Sequence, residues 1–332
     1  MSCSEYTGYQ FQEVPPVREI PSLADDVRTG LFSQPRSLAP KYFYDHKGSH
    51  LFDQICETPE YYPTRTEASL LQEYAAAIIE HVQPNHMLEF GSGTSRKTRH
   101  LLEAARQSDH SMTYWPFDIC SSLLHVVAGR LRSEFPGLEI NAKCGDFTAG
   151  IEHLEQPGGR CLYLFLGGTI GNFDPIDAEE FINEIAAHMR PGDALLLGAD
   201  RVKDTGVLHA AYNDEQGLTA EFNLNLLNVL NRELDADFTP EDFRHEAVFN
   251  EQDSQIEMYL VAEKQQSIYL GQLDRVLELE QEEAILTEIS RKFSRQSIRH
   301  LIETSGLVET AHYEPDNGWY SLVLAGKPHL VD

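Results

Sequence analysis

Downstream of residue 86 the apolar residues gather in short solid blocks separated by stretches of helical period. The blocks are 87–90, 112–117, 138–143, 160–166 and 193–199. The helical stretches are 95–107, 120–134 and 177–189, with a helical turn at 147–154. Strands that are apolar throughout need cover on both faces. Their alternation with helices predicts an α/β fold, a parallel sheet with helices on either side. Pro191-Gly192-Asp193 marks the boundary before the last of these strands.

The pattern breaks after residue 202. Residues 203–240 read as two helices, one of them Leu218–Leu234, and the next fifty switch to a period of two. Arg244–Phe249, Gln255–Lys264, Gln266–Tyr269 and Val276–Leu279 are the strands this predicts. Together they form an inserted α+β lobe. From Ser294 the earlier pattern resumes with helix 294–304 and strands 307–314 and 319–326. Asp316-Asn317-Gly318 joins the last two as an antiparallel pair. Upstream, residues 1–40 carry many Pro and Ser and read as an irregular arm with a short helix near 22–31. Residues 48–58 look helical. Glu60–Arg65 reads as a turn or loop, because Tyr62 precedes a proline, and a helix follows from Thr66 to Val82. The expected domains are an arm at 1–65 that belongs to the substrate lobe, the main sheet at 66–202, the inserted lobe at 203–290 and the sheet's completion at 291–332.

Three strand ends carry candidate chemistry. Met87-Leu88-Glu89-Phe90 runs into a tight Gly91-Ser92-Gly93 turn, after which a helix is expected to begin at Thr94 or Ser95. Glycines there let a ligand approach the backbone, and a helix start offers free N–H groups. The turn departs from Gly-x-Gly-x-x-Gly, since Lys97 and Thr98 occupy the later positions, so alone it is equally an ordinary connection. Asp118 ends the next strand, where an acid can bind ribose hydroxyls. Asp146 and Phe147 end the one after, an acceptor for an adenine amino group and a ring to cover the base. This trio suits S-adenosylmethionine better than a dinucleotide, because no second phosphate cradle follows.

A fourth strand runs from Cys161 into a glycine-rich loop ending at Asn172. Ligands sit beyond the carboxyl ends of such strands, so Asn172 either faces a ligand or caps the following turn. Tyr44, Tyr61, Tyr62 and Tyr212 are lid or packing residues. Glu288 and Ser290 alternate, so an extended backbone points both to one side, where the insertion rejoins the sheet. Solvated polar positions would look the same.

Composition removes several classes. A net charge of −27 repels phosphate backbones and anionic lipids, which disfavours nucleic acid and favours a small molecule. No apolar run is long enough for a membrane span, and no signal peptide is apparent. Five cysteines without ligand spacing suggest reduced thiols and a cytoplasmic setting. The fourteen histidines show no ligand spacing, so no metal is expected.

At this point the motifs match a family. Lys41 to Asp45, Gly48 to Ile55, Pro59 to Arg65, Gly91 to Ser95, Leu166 to Asn172, Ala220 to Asn223 and Thr287 to Phe293 together resemble the histidine Nα-methyltransferases of ergothioneine biosynthesis. The resemblance runs from about residue 35 to 326. It implies a Rossmann-like class I methyltransferase sheet with a second, substrate-binding lobe; a monomer is the separate expectation. It implies trimethylation of the α-amine of L-histidine to hercynine, with S-adenosylmethionine as donor. It places Gly91, Ser92, Gly93, Lys97, Asp118, Asp146 and Phe147 on the donor. It gives Asn172 and Tyr212 the substrate carboxylate, with Asn172 also near the amine. Tyr61 falls by the amine and carboxylate, Tyr44 acts nearby through water, Glu288 and Ser290 grip the imidazole, and Met258 lines the pocket wall. Of these, Tyr44, Tyr61 and Asn172 are the expected catalytic residues. Two alternatives stay open: a methyltransferase for another free amino acid, such as a tryptophan derivative, and a catalytically silent binding protein of the same fold.

Overall fold

A computed structural model describes residues 8–108 and 111–329. They form two compact units. The first contains residues 8–20, 66–201 and 293–329, and the second 21–65 and 202–292.

The first unit is built on an eight-stranded sheet. Its order is Gln10–Glu13, Glu139–Cys144, Thr113–Asp118, His86–Phe90, Cys161–Phe165, Ala194–Asp200, Tyr320–Gly326 and Val308–Tyr313. The first six strands are parallel, and the last two attach antiparallel. Successive residues of the central strands enter opposite cores, as the pleat requires. Leu88, Phe90, Tyr163 and Phe165 pack with Phe181, Ile185 and Ile298 on one face. Met87, Leu162 and Leu164 pack with Leu71, Ile78, Leu101 and Val127 on the other. The helices Pro175–His188 and Arg295–Thr304 therefore cover one side, and Tyr62–Val82, Arg99–Gln107 and Ser121–Glu134 the other. Each fully buried Leu or Phe contributes about 1.5–3 kcal/mol to this sandwich. Because the parallel strands are in register, Phe90, Phe117 and Phe165 end side by side, and the loops after them share one edge of the sheet.

Three expectations need correction. Gln10–Glu13 is an edge strand paired with Asn141–Cys144, so residues 8–20 belong to the sheet unit and not to the substrate lobe. Its four residues are mostly exposed and show no apolar period, which is why the sequence hid it. The helix expected from Thr66 already starts at Tyr62, because Pro63 lies in its first turn, where no N–H is needed. The helix after the glycine turn starts at Arg99 and not at Thr94 or Ser95. Gly91, Gly93 and Ser95 all have positive φ, which postpones regular helix by about one turn.

The second unit contains a four-stranded sheet in the order Arg36–Ser37, Ala284–Arg291, Gln255–Ala262, Phe243–Asn250, and a separate hairpin of Gln266–Leu270 with Arg275–Leu279. Helix Leu218–Leu234 buries Phe222, Leu226, Leu227 and Leu230, and helices Leu23–Gly30, His46–Ile55 and Thr205–Tyr212 complete the unit. Arg36 and Ser37 pair with Ile285 and Leu286, which ties the arm's later half to the insertion. No helix among the described residues is long and apolar enough to cross a membrane.

Candidate active site

In the first unit the glycine turn is fastened to the next strand. Asp118 Oδ2 accepts from Gly93 N at 2.8 Å, and Oδ1 accepts from Cys120 N at 3.0 Å. Loss of solvent raises the Asp118 carboxyl above its ordinary value, and these backbone donors pull the other way. A Cβ on Gly91 would lie 3.6 Å from the Phe147 ring, while one on Gly93 would meet nothing within 4 Å. The turn is thus open at Gly93 and floored by an aromatic ring at Gly91. That ring is fixed by edge contacts with Phe90, Phe117 and Phe165. Asp146 caps the short turn after it, with Oδ1 accepting from Thr148 N and Oγ1. Ser92 Oγ is buried and has no hydrogen-bond partner.

Beneath the turn lies Glu89, an acid inside an apolar strand. It accepts from Thr98 Oγ1 at 2.6 Å and from the Tyr114 hydroxyl, which also bonds Ser95 at 2.8 Å. Burial pushes the Glu89 carboxyl up to about 7. A second buried acid, Glu67, accepts from Lys97 Nζ, from Gly167 N at 2.9 Å on both oxygens and from Tyr320 OH at 2.8 Å. A Cβ on Gly198 would stand 2.0 Å from Glu67 Oε1, so glycine there makes room for the carboxylate. Lys97, expected at the donor, is held at the start of the glycine-rich loop. That loop ends in a short 3-10 turn, Thr169–Asn172. The cap of the next helix is Asp174, which accepts from Ile176 N and Asp177 N. Asn172 is therefore not the cap. It is half-buried, and among the described residues its amide has no hydrogen-bond partner.

The remaining expected residues meet in the second unit. Glu288 pairs across the sheet with Met258, and Ser290 with Ile256, so the two polar side chains share a face with Met258 beside them. Tyr212 OH lies 2.7 Å from Ser290 Oγ. The Tyr61 and Tyr212 rings meet edge to face at 6.0 Å, and Tyr44 packs edge-on against Phe52 and Phe222. Glu288 remains partly accessible, yet enough protein surrounds its carboxyl to push it up to about 7, against the pull of Lys292. Tyr61 and Tyr44 are both raised above the ordinary phenol value, first by desolvation, with Glu288, Cys56 and Tyr212 adding to it.

Glu67, Glu89, Tyr320 and Lys292 escaped the sequence reading. The first two had a signal: Glu67 precedes Leu70 and Leu71 on the buried stripe of its helix, and Glu89 interrupts an apolar strand. Tyr320 had none, because its partner Glu67 is distant in sequence, and the link of Lys292 to Tyr212 is equally non-local.

Residues 23–327 match the family described as histidine-specific methyltransferase, S-adenosylmethionine-dependent. The chain belongs to this family. A histidine N-alpha-methyltransferase of Mycobacterium tuberculosis is 44% identical over 308 residues, covering 92% of this chain and 95% of that protein. Ergothioneine biosynthesis protein 1 of Schizosaccharomyces pombe is 28% identical and covers 86% of this chain and 38% of that longer protein. A 4-dimethylallyltryptophan N-methyltransferase of Claviceps fusiformis is 26% identical across 90% and 88%.

The residues of this methyltransferase fit its donor. The open glycine turn, the unpartnered Ser92 hydroxyl, the Asp118 carboxyl and the locked Phe147 ring lie at one edge of the sheet and are the groups that would hold its nucleoside. Asp118→Ala is expected to weaken S-adenosylmethionine binding by about 1–3 kcal/mol, through loss of a charge-assisted contact. Calorimetry on the folded variant checks this, and unchanged affinity would remove Asp118 from the donor site.

Proposed function

We propose that this protein methylates the α-amine of free L-histidine three times, giving hercynine for ergothioneine biosynthesis. The observation that carries this reading is the same-face pair Glu288 and Ser290, beside Met258, in a chain 44% identical to a histidine N-alpha-methyltransferase. A carboxylate and a hydroxyl on one strand face suit the two ring nitrogens of imidazole.

When bound, S-adenosylmethionine supplies a methyl group already activated for in-line displacement. The chain's own task is then to position a neutral amine. Free α-amines have a pKa around 8, so most are protonated at neutral pH. Tyr61 and Tyr44 are no bases for that proton, because a phenol titrates near 10 and the surroundings of both raise it further, which keeps the hydroxyls neutral at pH 7. Their roles are orientation and the stabilisation of a methylated ammonium by ring faces and oxygens. Asn172, with its unpartnered amide, accepts an amine hydrogen early and loses that bond as methyl groups replace hydrogens. Asn172 and Tyr212 bind the carboxylate. The four unbridged cysteines among the described residues, Cys56, Cys120, Cys144 and Cys161, suit a cytoplasmic setting.

The direct test is incubation with S-adenosylmethionine and each free amino acid in turn, followed by mass spectrometry. Gains of one, two and three methyl units on histidine are expected. Selective gain on tryptophan, or on nothing, would overturn the reading. Histamine lacks the carboxylate and would leave polar groups unpaired. It is expected to be worse than histidine by more than about tenfold in kcat/KM, the equivalent of about 1–3 kcal/mol. Comparable values would remove the carboxylate roles of Asn172 and Tyr212.

A further inference from the structure

Lys292 follows directly on the strand that carries Glu288 and Ser290, and it is buried. Its backbone N–H is tied to Ser254 O at 2.7 Å, which fixes where the side chain starts. Its Nζ donates to Tyr212 OH at 2.9 Å and to Ser290 Oγ at 2.8 Å, and those two oxygens are 2.7 Å apart. The three atoms form a closed triangle. The ammonium also lies 4.7 Å from the centre of the Tyr212 ring.

The proton count in this triangle is restrictive. An ammonium only donates, so both hydroxyl oxygens accept from Lys292. One hydroxyl proton occupies the edge between the two oxygens. The oxygen that receives it has then accepted twice and has no lone pair left, so its own proton must point out of the triangle. An anion outside the triangle decides which oxygen that is. The more acidic phenol proton goes to the anion, and the serine proton closes the edge.

We propose that Lys292 is a specificity-determining residue for the substrate carboxylate, acting through Tyr212. It saturates the tyrosine oxygen so that the hydroxyl can only donate, and it sets a positive charge behind that donor. Lys292 is thus a positioning residue that does not itself touch the substrate. Ser290 keeps one lone pair, which is free to meet a ring N–H. The inference rests on the histidine reading and on Tyr212 as a carboxylate contact.

The test compares histidine with histamine in the full-length protein with saturating S-adenosylmethionine. In the wild type, kcat/KM should favour histidine by more than about tenfold. In Lys292→Met the preference should fall to within about threefold, whatever the shared effect on both substrates through Ser290. A purely structural role would lower both substrates together and leave the ratio intact, which would overturn the proposal. Thermal unfolding and donor affinity check that the variant is folded. If Lys292→Met does not fold, Tyr212→Phe carries the test, since it removes the last group of the relay and should collapse the same ratio. Where both variants fold, the double variant should lose no more than either single one, because the two act in series. Additive losses would mean independent contributions and would sink the relay. A wild type that methylates neither compound refutes the histidine reading, whereas an unchanged ratio in a working enzyme refutes the Lys292 role alone.

Discussion

Glu67→Ala is expected to destabilise the first unit by about 3–5 kcal/mol, the cost of breaking a buried, multiply bonded ion pair by removing one partner. The carboxylate is fully enclosed and accepts from Lys97, Gly167 N and Tyr320 OH. Alanine would leave the Lys97 ammonium without its counter-charge, a backbone N–H without its acceptor and a void beside Gly198. Tyr320→Phe removes one neutral donor from the same carboxylate and should cost only about 1 kcal/mol. Chemical denaturation of both variants gives the comparison. Equal midpoints would mean that the carboxylate does not hold the loop leading to Asn172.

Glu288→Ala should lower kcat/KM for histidine by on the order of a hundredfold, as expected for loss of a charge-assisted hydrogen bond of about 1.5–3 kcal/mol. Donor affinity should barely change, because the residues proposed for the donor, Gly91 to Phe147, belong to the other unit. Larger aromatic amino acids probe the vacated space, and their turnover should rise relative to histidine. Equal histidine turnover at low substrate would exclude Glu288 as the imidazole contact. The same residue carries a pH signature. Its carboxyl is raised from 4.5 to about 7 by desolvation. Between those values the native state holds more protons than the unfolded chain, so stability falls as pH rises. The contribution is complete below about 4.5 and is lost as pH passes through about 7. Glu288→Gln should flatten that part of the stability profile in the unliganded protein. Glu89, also raised to about 7, should keep a residual slope of the same sign.

The order of strands and helices around the main sheet was legible because periodicity is a local property. Apolar blocks of strand length between helical stretches and turn signals read as buried strands, and the change to a period of two after residue 240 marks a sheet covered on one side. The Glu288 and Ser290 pair was legible for the same reason, since alternate residues of a strand share a face. The edge strand Gln10–Glu13 was not, because its stability comes from pairing with Asn141–Cys144 rather than from any apolar pattern of its own. The late start of the helix at Arg99 was also hidden, since positive φ at Ser95 is imposed by the turn and not by serine's preference.

The sequence by itself determined the element order, the glycine turn with its two strand-end acids, and the family. Those depend on neighbours along the chain and on motifs that survive being read as text. Only the tertiary structure decided how the buried charges are paired. Glu67 meets Tyr320 across 253 residues, and Lys292 closes its triangle with Tyr212 across 80. Tertiary structure also decided that Asp174, not Asn172, caps the helix Pro175–His188. A buried polar group must be satisfied by whatever the fold brings near it, and long-range packing, rather than local sequence, chooses that partner.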